Sequence, residues 1–210
     1  MKLFDHSSII CLIEGEIIMT ENRQILRHTP QPDHDMNEVQ VINEPKVQVR
    51  AEQPYVSIPI EINLKEWDKA NALVVEIFGW LGQKRVQPTG APFFRYQVIG
   101  DIDKKCKIEV GVPVGNAISG DGHVIAGTIP AGKYVTLVHT GHPNRIANSY
   151  AILEEWASGR GMRWDNRMED NEDIWAGRFE YYLTDPAEQP NPEQWSIEIE
   201  YLIEERAFAV

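Results

Sequence analysis

The strongest constraint on this chain is an order of hydrophobic periods that occurs twice. In "LKEWDKANALVVEIFGWLGQKRV", residues Leu64, Trp67, Ala70, Val74, Ile77 and Leu81 recur at three-to-four spacing, with Lys65, Asp68 and Lys69 turned away. Such a stripe predicts one amphipathic helix, with Asn63 as its cap and Gly82 as its stop. Regularity begins at Val39, and "VQVRAEQPYVSIPIEI" ahead of the helix alternates in places, which predicts an extended strand bent at Pro54 and Pro59. After the helix, "FFRYQVIG" and "CKIEVGVPVG" predict two strands joined by a charged turn, Asp101–Lys105. The order then returns: strand material in "HVIAGTIPAGKYVTLVHTG", a helix with Ile146, Tyr150, Leu153, Trp156 and Ala157 facing inward, and stops at Gly159 and Gly161. An acidic loop, "DNRMEDNED", leads into two more strands, "GRFEYYLTD" and "WSIEIEYLIEE". The reading is therefore an α+β fold of tandem β-α-β-β repeats, about 45–116 and 122–204, with antiparallel sheets. Neither half is large enough to bury its sheet alone, so the two are expected to pack about a pseudo-twofold axis, with a cleft at their junction.

The 210 residues carry a net charge of −12, without a basic stripe, which argues against direct nucleic-acid binding. Cys11 and Cys106 are the only cysteines and lack CxxC spacing, as expected of a protein in a reducing cytoplasm. "SSIICLIEGEIIM" is too short to span a bilayer, is interrupted by Glu14 and Glu16, and lacks the features of a secretory signal. Residues 1–38 are expected to be a flexible tail, with translation starting at Met19 and residues 1–18 a leader. Residues 39–206 then form the folded domain. No helix-turn-helix pattern lies ahead of it, so this chain is not expected to bind DNA by itself.

His139 and His142 flank a strand-to-helix joint at i, i+3 spacing, but there is no HExxH and no neighbouring cysteine. No metal and no cofactor are expected, and the joint reads as architectural, with Pro143 in the first turn. Neither a dinucleotide fingerprint nor a phosphate loop occurs in "GVPVGNAISGDGHVIAG". The glutamates leave two readings open. Alternation sets Arg178, Glu180 and Tyr182 on one face of their strand, and Glu198 and Glu200 together on one face of theirs. They are either ordinary charges on a solvated sheet face or carboxylates in a cleft walled by aromatics. An enclosed carboxylate would pair with cations or serve as a general acid or base.

Five motifs then stand in order: Pro130-Ala131-Gly132 before a strand, His139-x-Gly141 at a helix start, Tyr150 and Trp156 along that helix, Glu180-x-Tyr182-Leu183-x-Asp185-Pro186, and Trp195-x-x-Glu198. Together they resemble the GyrI-like small-molecule-binding family, the effector-binding module of AraC- and MerR-type multidrug regulators, over about residues 45–204. Departures are His142-Pro143 where many members have Pro-Tyr, and Ile199-Glu200-Tyr201-Leu202 near the end. The resemblance implies an SH2-like pair of units around a cleft for lipophilic, often cationic or aromatic compounds. It implies a central glutamate, Glu180 first and Glu198 second, with Tyr182, Trp156, Tyr150, Phe94 and Trp80 as walls. The leading expectation is a standalone binding protein. A hydrolase of cyclopropane-containing or other electrophilic toxins, using Glu180 or Glu198, is the alternative, and a gyrase-interacting protein is a third.

Overall fold

The computed structural model describes residues 43–63, 66–99, 105–170 and 172–205. The tail, the leader up to Met19, Val39–Ile42, Leu64, Lys65 and the turn at 101–104 lie outside those residues. Among the described residues ten strands and two α-helices form an α+β fold. In chain order they are β1 (Lys46–Arg50), β2 (Gln53–Ile62), α1 (Trp67–Lys84), β3 (Phe93–Ile99), β4 (Cys106–Pro113), β5 (Ile125–Ile129), β6 (Gly132–Thr140), α2 (Ile146–Ser158), β7 (Asn166–Glu169), β8 (Glu172–Trp175), β9 (Arg178–Tyr182) and β10 (Ser196–Leu202). All pair antiparallel in one sheet of order β1-β6-β10-β9-β3-β4-β2-β5, with the β7–β8 hairpin attached to β3 through β8.

The connections force the sheet to curl. β1 and β2 stand six places apart in that order, yet only Ala51 and Glu52 join them. Laid flat, six inter-strand steps would cover about 29 Å, whereas Arg50 to Gln53 reaches at most about 11 Å. Pro130 and Ala131 impose the same closure on β5 and β6. The single bent strand expected from Val47 to Ile62 is thus two strands toward opposite ends of the sheet order, β1 at one edge and β2 next to the strand at the other.

Both helices lie on one side of the sheet. α1 covers β2 and β4 through Trp67, Ala70, Val74, Ile77 and Leu81, while α2 covers β6 and β10 through Ile146, Leu153 and Ala157. Tyr182 packs against both of these cores. The other face holds an aromatic layer of Tyr55, Phe93, Tyr134 and Phe179. Gly111 makes room for it, since a Cβ there would lie 2.4 Å from Phe93 Cζ.

Several boundaries differ from expectation. α1 starts at Trp67 with Glu66 in the cap position; the Glu66 N–H donates to the Asn63 carbonyl at 3.0 Å while the Asn63 N–H donates to Glu66 Oε2 at 3.3 Å. Its stop is Arg85, in the left-handed region at φ 57°, rather than Gly82. The Arg85 N–H reaches back to the Gly82 carbonyl at 3.1 Å. The acidic stretch after α2 is the β7–β8 hairpin and not a loop. At the histidine joint, His139 is buried, its Nδ1 accepting from Ser149 Oγ at 2.9 Å and its Nε2 donating to the His142 carbonyl at 3.2 Å. His142 Nδ1 accepts from the Asn144 N–H at 3.2 Å, capping the short turn that opens at Pro143. The joint fastens β6 to α2.

Candidate functional site

Glu180 sits mid-strand in β9, between β10 and β3, opposite Ile199 on one side and Phe94 on the other. Alternation sends its side chain toward the helices, and it is 4 % exposed. Tyr150, reaching down from α2, donates its hydroxyl to Glu180 Oε1, and Tyr182 Oη donates to Oε2 at 3.1 Å. The Tyr96 hydroxyl, from β3, also favours the charged form of the carboxyl. Burial raises the carboxyl pKa, while the tyrosine hydroxyls and the Arg178 charge pull it back. The hydroxyls of the three tyrosines are held well above the usual phenol range by burial and by the carboxylate they serve.

Arg178, two residues earlier on the same face of β9, is surrounded by rings. Its guanidinium carbon lies 4.5 Å from the Tyr201 ring centroid, 4.8 Å from Trp175, 5.6 Å from Tyr96 and 5.7 Å from Tyr150. On the far side of Glu180, Tyr182 packs on Phe94 at 4.9 Å between centroids. A narrow cavity of about 30 Å³ opens there, lined chiefly by Asn71, Val74, Phe94, Tyr182, Trp195 and Ile197. It has room for about one water. The site is thus an aromatic, enclosed junction between the α1 and α2 cores with one carboxyl at its floor.

A sequence profile of the GyrI-like small molecule binding domain matches residues 43–203. The chain belongs to that family. No curated protein matches it significantly in sequence. Among solved structures, this GyrI-like chain is similar to the C-terminal domain of EcmrR at 17 % identity and TM-score 0.58, over 79 % of this chain and 99 % of that one. Against EcmrR in its complex with DNA the identity is 18 % and the TM-score 0.59, over 77 % of this chain. The match covers 57 % of that longer protein. A hydrolase from Listeria innocua is similar at 12 % identity and TM-score 0.52, over 77 % of this chain and 92 % of that one. SAV2435 bound to tetraphenylphosphonium is similar at 15 % identity and TM-score 0.50, over 77 % and 94 %. These likenesses establish the shared fold.

Of the candidate residues in this GyrI-like chain, Glu180, Tyr182, Tyr150 and Phe94 come together as described. Trp156 belongs to the α2 core beside Tyr150, with the Arg160 guanidinium stacked 3.9 Å over its ring. Trp80 is engaged elsewhere, donating to Asp121 Oδ1 at 2.5 Å beneath Lys84. Glu198 lies on the opposite face of the sheet, because its register partner in β9 is Tyr181 and not Glu180. There it stands 3.5 Å from Arg50, which also pairs with the buried Glu200. These three, with Tyr181 and Thr89, border a hollow of about 570 Å³ on the helix-free face. That hollow is larger but polar, and its carboxylates already hold a guanidinium, so the enclosed aromatic junction is the stronger small-molecule candidate. Sequence reasoning passed over Tyr96, Trp175, Tyr201 and the site role of Arg178. Their signal was parity: Tyr96 shares a strand face with Phe94, and Arg178 shares one with Glu180.

Proposed function

We propose that residues 39–206 form a small-molecule receptor whose ligand lies between α1 and α2, with Glu180 as the central carboxyl and Tyr96, Tyr150, Tyr182 and Phe94 as walls. The observation that carries this is a carboxyl 4 % exposed, held by tyrosine hydroxyls, one side chain away from an apolar cavity. Ordinary packing gives no reason to bury an acid among aromatics. The cavity as it stands admits no drug-sized molecule, so entry requires Tyr182, the side chain shared by cavity and carboxyl, to swing aside. The sheet order supports two repeats about a pseudo-twofold axis, since it reads alike from both ends when β2 matches β6, β3 matches β9, β4 matches β10 and β5 matches β1. On that reading the junction is the seam between repeats, where bound compounds would be lipophilic. Thermal-shift screening of aromatic compounds, with hits titrated by calorimetry, tests the proposal. Glu180→Gln and Tyr182→Ala should each weaken hits about tenfold or more, while Trp80→Phe leaves them unchanged. Hits that ignore Glu180 and Tyr182 would remove the site.

The raised pKa of Glu180 favours one second reading, a hydrolase. There Glu180 would take a proton from water as its oxygen bonds to an electrophilic ring carbon, then return it to the atom released when the ring bond breaks. Incubation with strained-ring toxins and mass spectrometry for gain of one water separates turnover from binding.

A further inference from the structure

The aromatic cage beside Glu180 already contains a cation. Arg178 lies within 6 Å of the centroids of Tyr96, Tyr150, Trp175 and Tyr201, the range in which a guanidinium is attracted to ring faces. Those four rings are on four different elements, β3, α2, β8 and β10, so the arrangement is a constructed enclosure and not the chance stacking of neighbours. The Arg178 Nε–H is a buried donor without a hydrogen-bond partner among the described residues. The acidic side chain next to it has its oxygens taken by tyrosine hydroxyls.

Building on the receptor reading, we infer that Arg178 is a resident counter-cation that sets ligand charge: the site admits neutral aromatic molecules bearing an acceptor oxygen and turns away lipophilic cations. Two physical reasons support this. A cation that reached Glu180 would meet a like charge two residues along the same strand face, in a medium of low polarity where repulsion is weakly screened. It would also find the Tyr96 and Tyr150 faces and the carboxyl oxygens already engaged. An acceptor oxygen, in contrast, can satisfy the orphaned Nε–H, which at present bears the cost of an unmade hydrogen bond. On this inference the counter-charge to Glu180 is supplied by Arg178 from within the chain.

The test is calorimetric titration of the full chain with two probes of similar shape, tetraphenylphosphonium and neutral triphenylphosphine oxide. The native protein should prefer the oxide by about tenfold or more. Arg178→Met should invert that order, and adding Glu180→Gln to it should abolish the gained phosphonium binding. Arg178→Lys, which keeps the charge, should retain the preference for the oxide. The native ratio decides the matter even if Arg178→Met fails to fold. Native protein that binds phosphonium as tightly as oxide overturns the inference, as does an Arg178→Met ratio equal to the native one. If either probe binds and responds to Glu180→Gln while Arg178→Met changes nothing, the receptor reading stands and the inference about charge falls. If no aromatic compound binds at all, both fall together.

Discussion

Charged side chains inside this protein are disposed in two different ways, and the difference yields a measurable pH signature. Glu180 is answered by hydroxyls and a nearby guanidinium, whereas Glu200, 1 % exposed, has its pKa pushed up to about 7 by burial and by Glu198, against the pull of Arg50. An ordinary glutamate value is 4.5, so between that and about 7 the folded chain binds the extra proton and the unfolded chain does not. Stability contributed by Glu200 is therefore full below the unfolded value and declines as pH rises toward 7. His139 works in the opposite sense: burial lowers its pKa below 6.5, so acidification through that range favours the unfolded, protonated form. Native melting curves mix the two. Subtracting them from Glu200→Gln curves, from about pH 5 to about pH 8, should isolate a variant advantage that grows with pH; a flat difference would mean that Glu200 titrates normally. Glu198, 3.5 Å from Arg50, leaves that cation paired in the variant. At this scale the sequence shows which residues share a face of their own strand. It does not show which faces of two strands coincide. Glu180 and Glu198 are first and second candidates for one central carboxyl, but pairing Glu180 with Ile199 puts them on opposite sides, and a one-residue change of register would reverse that.

Elements with one apolar face were legible, and elements without one were not. The α1 and α2 stripes, and strands β3, β4, β6, β9 and β10, carry periods that burial enforces. The β7–β8 hairpin has no buried side before Trp175, so nothing in its polar sequence separates it from a loop. The division of β1 from β2 was equally hidden: alternation continues near Ala51 and Glu52 while the hydrogen-bond partners change from β6 to β4 and β5. The end of α1 shows a different limit. Gly82 has the chemistry of a stop, but Leu81 is buried and the helix continues to Lys84 before Arg85 takes the left-handed conformation. A side chain there costs about 1 kcal/mol relative to glycine. Arg85→Gly should therefore raise stability by roughly that amount in urea unfolding, with the slope unchanged. A loss of stability would mean that the side chain of Arg85 contributes more than its backbone strain costs.

As a whole molecule, the domain should unfold as one unit, for reasons of connection as well as packing. Tyr182 joins the α1 and α2 cores, and each outermost strand pairs with the half of the sheet opposite its chain neighbour. Unfolding followed by tryptophan fluorescence and by far-UV circular dichroism should give one coincident midpoint; separated midpoints would show halves that fold independently. None of the helices among the described residues is long and apolar enough to cross a membrane. The crossed links also shape how the polypeptide emerges from the ribosome. Lys46 must wait for Thr136, and Phe94 for Glu180, before either meets its partner. At ordinary translation speeds the second delay is about 4–17 s, during which β3 presents an unpaired, aromatic edge. Synthesis of this protein thus contains a built-in interval of vulnerability to aggregation, and its yield should depend on chaperone supply more than its finished stability would suggest.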